Sequence, residues 1–373
     1  MIRFLRLSLL LLLAGAIAAQ AQTLKDAYKG SFLIGAAINQ HQALEEDARE
    51  VALIKQQFNS ITPENVLKWE VVHPKPDVYD FEGGDRFVKF GEKYGMVVIG
   101  HTLVWHSQTP KWVFEDEHGN PVSRDVLLKR MHDHITTVVG RYKGRIKGWD
   151  VVNEALDEDG SLRKSPWMKI IGEDYIEKAF QFAHEADPKA ELYYNDYSIE
   201  NKDKRNGAVT LIRKLEAKGV PVHAIGLQGH DNLTWPSIEQ QDATIAAFES
   251  LGVRVNITEL DITVLPPATR NNTADVSAKA EVTSELNPYS GGLPDAKQQE
   301  LARRYGELFR VFEKHRNTID RVTFWGVTDA HSWRNNWPAR GRTDYPLLFD
   351  RAGKPKSAFD AVIQAAKTGS ANK

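Results

Sequence analysis

Trp149-Asp150-Val151-Val152-Asn153-Glu154 opens as an apolar, β-branched run and stops abruptly in an amide and a carboxylate. Further along, Val255-Asn256-Ile257-Thr258-Glu259-Leu260-Asp261 repeats the design. Each reads as a buried strand that delivers an acid at its carboxyl end. A lone carboxylate there is costly to desolvate, so it has a partner or a task. Two such sites point to paired-carboxylate chemistry, although either alone would serve equally well as a strand-end acid in a salt bridge.

Outward from these two stretches the chain alternates short apolar runs with amphipathic ones. The strand candidates are Phe32 to Ala36, Phe58 to Thr62, Met96 to His101, Ile146 to Asn153, Leu192 to Asn195, Val222 to Gln228, Val253 to Leu260 and Arg321 to Gly326. Between them, sets such as Leu127, Met131, Ile135, Val138 and Tyr142, or Leu301, Tyr305, Leu308, Phe309 and Phe312, fall at helical spacing. Ser237 with Gln240, and Asp295 with Gln298, have the spacing of a capping box. Gly95, Gly219 and Gly252 each stand where a helix should end, followed at once by a strand. Strand–helix units in such a series predict a single-domain (β/α)8 TIM barrel. A doubly wound sheet would carry a Gly-rich phosphate turn after its first strand, and Gly35-Ala36-Ala37-Ile38 is not one.

In such a barrel the carboxyl ends of the strands form the working face. The residues expected to converge there are Glu64, Asn65 and Lys68; His101, Trp105 and Gln108; Asn153 and Glu154; Asn195 and Tyr197; Gln228 and His230; Glu259 and Asp261; and Trp325 with Trp333. Seven of the eight strand ends would thus offer groups that hydrogen-bond or stack, which folding alone does not require. Glu259 and Asp261 are two apart and share a strand face.

The 373 residues carry 48 Lys and Arg against 50 Asp and Glu, a balance that favours neither nucleic acid nor a charged membrane surface. The absence of cysteine excludes disulfides, thiolate metal sites and a lipid-modified cysteine. At the N-terminus Arg3 and Arg6 precede an apolar run, Leu7 to Ala19, leading into the small-x-small pattern Ala19-Gln20-Ala21. This reads as a signal peptide over 1–21, too short to span a bilayer. The mature chain, 22–373, is expected to start near Gln22 and to work in the periplasm or outside the cell, with no later membrane segment. Nine tryptophans also suit an exported protein that stacks on sugars, although most tryptophans are core.

Five segments resemble glycoside hydrolase family 10, the retaining endo-β-1,4-xylanases: Asn59 to Glu70, Gly100 to His106, Trp149 to Glu154, Gly226 to His230 and Ile257 to Asp261. They occur in the family's order, and the likeness runs from about Gly35 to Phe359. The resemblance implies that Glu154 is the general acid/base and Glu259 the nucleophile, carboxyls that in such enzymes lie roughly 5 to 5.5 Å apart. It implies that His230 bridges Glu259 and Asp261, with Asp261 fixing its tautomer, and that Asn153 bonds the hydroxyl next to the reacting carbon. Glu64, Asn65, Lys68, His101 and Gln108 resemble glycone contacts, and Trp105, Trp325 and Trp333 the walls around the cleaved sugar. Asn195 and Gln228 belong to the same binding set, and Tyr197 resembles a platform on the leaving-group side. Trp112, Trp149, Trp167, Trp235 and Trp337 are read as core or scaffold. The implied partner is xylan, with no cofactor, no metal, and a monomeric enzyme.

Gly229 departs from the family pattern, which bears on local packing alone. A polar Pro/Asn/Thr/Ser/Gly-rich insertion at about 266–294 follows the nucleophile strand and is expected either to rim the cleft or to be a mobile excursion. No separate carbohydrate-binding module is visible. Glu64 and Lys68 could alternatively form a helical i,i+4 ion pair. Rival functions are a metal-dependent barrel hydrolase using His101, His106, His230, His331, Asp261 and Asp329, a non-catalytic sugar-binding barrel, and, within the same chemistry, a β-1,4-glucanase or cellulase.

Overall fold

A computed structural model of the chain describes residues 22–267, 276 and 279–370. The signal-peptide stretch and residues 268–275 and 277–278 of the insertion lie outside the described residues. The strands are β1 (Leu33–Ile38), β2 (Ser60–Pro63), β3 (Val97–Trp105), β4 (Gly148–Asn153), β5 (Glu191–Asp196), β6 (Ala224–Leu227), β7 (His230–Asn232), β8 (Arg254–Thr263) and β9 (Ile319–Phe324). From β1 to β6 each pairs in parallel with its predecessor; β8 pairs with β6 and β9, and β9 with β1. The result is the closed eight-stranded parallel barrel that the alternation predicts, with helices around it.

The extra strand, β7, is the departure. Gly229 adopts a φ of +74°, a conformation that favours glycine, and turns the chain out of β6 so that His230 pairs in register with Asp261. The unexpected glycine thus has a backbone reason. Strand ends also shift. β3 runs on to Trp105, β8 runs on to Thr263 and takes in Asp261, and β9 stops before Trp325.

The helices form as their spacing predicts. Leu127, Met131, Ile135 and Val138 are all buried along Arg124–Arg141, as are Leu301, Tyr305, Leu308, Phe309 and Phe312 along Asp295–Lys314. Gly95, Gly219 and Gly252 are all left-handed. After each, the strand-leading residue donates back five positions: Met96 to Gly91, Val220 to Leu215 and Val253 to Phe248. These are three copies of one Schellman ending. Ser237 and Gln240 form the expected capping box. Asp295 and Gln298 do not: Pro294 holds the N-cap position, Asp295 is already in the first turn, and the Gln298 amide donates to Leu293 O. The first-turn carboxylate favours the helix through its dipole instead.

Trp149 is scaffold, as read from the sequence. Its ring lies across Gly100 of β3 so closely that an added Cβ there would sit 2.1 Å from Trp149 Cε3. Among the described residues no helix is long and apolar enough to cross a membrane. Gly100→Ala is expected to displace the Trp149 ring and with it β4, lowering stability by about 1–3 kcal/mol. A thermal melt of this variant beside the parent checks it.

Candidate active site

Glu154 follows the last residue of β4 with a φ of +57°. That conformation costs a non-glycine residue on the order of 1 kcal/mol and persists only where the surroundings over-determine it. They do so here. Glu154 N–H donates to Asn195 O at 2.9 Å, and Arg163 Nε donates to Glu154 O at 3.0 Å. The next two amides donate to Tyr194 Oη and Asp196 Oδ2. The side chain is buried, its Oε2 accepting from Trp105 Nε1 at 2.7 Å and its Oε1 from Gln228 Nε2 at 3.0 Å and Asn153 Nδ2 at 3.3 Å. Burial first, and then the Asp196 anion, push its carboxyl up to about 7, against the two hydrogen bonds that favour the charged form.

Glu259, on β8, is equally buried but differently furnished. Asn195 Nδ2 donates to its Oε1 at 2.8 Å, and His230 Nε2 lies 3.1 Å from its Oε2. Burial raises its pKa, but the His230 hydrogen bond, the charges of His101 and His230, and the Asn195 hydrogen bond outweigh it and hold the carboxyl below its ordinary value. His230 lies between Glu259 and Asp261, with Nδ1 3.0 Å from Asp261 Oδ1. Although burial opposes the charged ring, the two carboxylates raise its pKa to about 9. A charged imidazole donates from both nitrogens, so Asp261 has no tautomer to choose at neutral pH; it stabilises the charge instead.

The two acids are also tied through amides. Asn195 Nδ2 donates to both Glu259 Oε1 and Asn153 Oδ1, and Asn153 Nδ2 donates to Glu154 Oε1. Asn195 is itself oriented by Thr258 Oγ1, which donates to its Oδ1 at 2.7 Å.

Around the pair, Lys68 Nζ donates to Asn65 Oδ1 and, at 2.8 Å, to Gln108 Oε1; Gln108 Nε2 donates to Glu70. Residues 64–68 form turns, not a helix, and no Glu64–Lys68 ion pair is present among the described residues, so the i,i+4 alternative is set aside. His101 bonds Asp150 Oδ2 at 2.9 Å and meets the Trp325 ring edge-on. All the expected site residues except Asn195, Tyr197 and Asp261 line one cavity, joined there by Val276 of the insertion. Asn195 and Asp261 sit just beneath it, fully buried.

Tyr197 is a correction. Its ring is 3% exposed, lies under Lys204 Nζ at 3.6 Å, and its hydroxyl accepts from Arg163 at 2.7 Å. With that face taken by a buried ammonium, it braces the loop behind Glu154 and offers no platform to a sugar. Trp337, read as scaffold, is half-buried and stacks on Trp333 at 4.7 Å. Sequence reasoning also passed over Asp150, Asp196 and Arg334. Asp196 ends an apolar strand as Glu154 does, so the same rule would have found it. Nothing in the local pattern marks Arg334.

The described part of the insertion is fastened to the loop after β9. Arg342 donates to Pro266 O and Leu286 O, Ala280 N to Pro338 O, Thr343 N to Asn287 Oδ1 and Tyr345 Oη to Tyr289 O. Among the described residues no group of three or more His, Cys, Asp or Glu is placed to hold a metal ion, and three of the histidines named for a metal-dependent hydrolase, His101, His230 and His331, meet separate carboxylates.

The sequence model of glycosyl hydrolase family 10 matches residues 23–365. The chain belongs to this family. It is 47% identical over 358 residues to endo-1,4-beta-xylanase A of Xylanibacter ruminicola, covering 96% of this chain and 97% of the relative. It is 45% identical over 344 residues to a beta-1,4-xylanase of Dictyoglomus thermophilum, covering 92% and 90%. Among solved structures it is similar to a GH10 endoxylanase retrieved from a sugarcane soil metagenome, with a TM-score of 0.89, 49% identity, and coverage of 91% of this chain and 99% of that one. If Glu154 acts protonated and Glu259 ionised, activity is expected to fall as pH rises through about 7 and again as pH falls through the depressed Glu259 value, read from the pH profile of kcat/KM. Asp196→Asn removes an anion that disfavours ionised Glu154, so it is expected to move the alkaline limb of kcat/KM to lower pH and leave the acid limb in place.

Proposed function

We infer that the chain is an endo-1,4-β-xylanase that hydrolyses internal xylosidic bonds of xylan with retention of configuration. The observation that carries this is the pair of buried strand-end carboxylates with opposite environments, one raised to about 7 and the other held low, in a family whose relatives are xylanases. Glu259 attacks the anomeric carbon while Glu154 gives its proton to the departing glycosidic oxygen, forming a glycosyl ester. With the Glu259 charge consumed in the ester, Glu154, left ionised by that transfer, takes a proton from the water that attacks the same carbon, releasing Glu259.

Asn153 bonds the hydroxyl beside the reacting carbon, an interaction that strengthens as charge develops. Glu64, Asn65, Lys68, His101 and Gln108 hold the glycone sugars, and Gln228 and Trp105 aim the Glu154 carboxyl. Trp325 and Trp333 wall the cleaved ring. Because Trp333 is stacked on Trp337 and donates its Nε1–H to Asp261, it meets the sugar with what remains of its surface. Val276 and the loop anchors support the insertion as a cleft rim, so that removing Ala268 to Ser284 is expected to change product lengths from xylan, read by chromatography of the products.

The N-terminal run supports export, with signal cleavage before about Gln22. The same chemistry on glucan is the nearer rival, because the distinction depends on room for a C6 hydroxymethyl. Proton NMR of the first products decides the matter: the β-anomer of xylo-oligosaccharides is expected from the parent, no release from Glu259→Ala, and little release from cellulose. The α-anomer first would exclude the double displacement.

A further inference from the structure

Beyond the acids themselves, four buried groups run in a line of alternating charge. Glu259 meets His230 at 3.1 Å and His230 meets Asp261 Oδ1 at 3.0 Å; Arg334 Nε and Nη2 both reach that same Oδ1 at 2.7 Å. Trp333 Nε1 fills the other oxygen, Oδ2, at 2.6 Å. Arg334 comes from the short 3-10 turn Trp333–Asn335, far in sequence from Glu259, and its guanidinium is buried.

We propose that Arg334 is a positioning residue for the nucleophile, keeping Glu259 ionised and in place by way of Asp261 and His230. This rests on the reading of Glu259 as nucleophile. With Arg334 the chain of four carries no net charge. Without it, two buried anions would share one imidazolium, and an uncompensated buried charge is strongly unfavourable. Proton uptake relieves it, and the carboxylate that can take the proton is Glu259, which lines the cavity, while Asp261 is fully buried and accepts on both oxygens.

The surrounding charges do not replace the guanidinium. Arg334 itself faces Asp344 and Asp231, with Arg342 opposing, and Asp261 faces Asp231 and Tyr305. Burial pushes Asp231 and Tyr305 well above their ordinary values, toward the neutral form, and neither can take the place of a cation at the far end of the line. At the near end Glu259 faces His101 and Lys68 as well as Glu154, but His101 is bonded to Asp150, and Lys68 also faces Glu64 and Glu70.

The test is the pH profile of kcat/KM on a nitrophenyl β-xylobioside, whose leaving group needs little help from Glu154. Arg334→Met is expected to move the acid limb up by about one pH unit, a tenfold loss below the limb. Arg334→Lys is expected to recover most of the shift. A folded Arg334→Met enzyme with lower turnover but an unshifted acid limb would reduce Arg334 to a structural role and overturn the proposal. Should Arg334→Met fail to fold, nitrogen NMR of the parent decides: the His230 ring must carry both protons at pH 6, and a neutral ring there overturns the alternating chain. Glu259→Ala run beside these separates the two readings, since activity surviving in it would remove the nucleophile assignment without bearing on whether Arg334 holds Asp261.

Discussion

Two carboxyls buried in one barrel mouth repel each other when both are charged, and most of what surrounds them acts to make them unlike. The Glu154 carboxyl is given amide and indole donors, with no cation bonded to it among the described residues and the Asp196 anion behind it. Glu259 is given a charged imidazole. The difference lies in which neighbours arrive, not in depth, for both side chains are buried. The amides of Asn153 and Asn195 link the two, so that a movement at one acid is felt at the other.

That arrangement makes demands on the scaffold. A left-handed backbone at Glu154 aims an acid back over the barrel, and the loop held by Arg163, Tyr194 and Asp196 keeps it there. A left-handed Gly229 releases His230 from β6 into register with Asp261. Gly226 leaves room for Asn195, whose Oδ1 would lie 2.2 Å from an added Cβ. The first two are local departures from regular strand geometry beside the chemistry, where conformational strain tends to gather. Three repeated Schellman endings, at Gly95, Gly219 and Gly252, lead the chain back toward β3, β6 and β8 in the same way.

The outer wall is assembled from segments distant in sequence. The insertion after β8 and the loop after β9 are sewn together by Arg342, Thr343 and Tyr345, and the second of these loops also carries Trp333, Arg334 and Trp337. One loop therefore both walls the cavity and charges the line behind Glu259, while the other lends Val276 to the rim.

Period and composition, which depend only on neighbours along the chain, were enough to determine the barrel, its eight strands though not where each one ends, the core faces of the helices and the pair of acids. The same local rules set the glycine exits and the Ser237 cap. They misjudged Asp295, since a proline one position earlier took the cap, and the family likeness misjudged Tyr197, since a buried Lys204 from the next helix covers its ring. Tertiary structure alone decided which polar group touches which: that Arg334 lies against Asp261, that Asp196 stands behind Glu154, and that Trp337 backs Trp333. Those contacts join residues whose separation along the chain bears no relation to their distance in space, and an electrostatic environment depends on distance. Sequence by itself named the acids, and the fold gave them their charges.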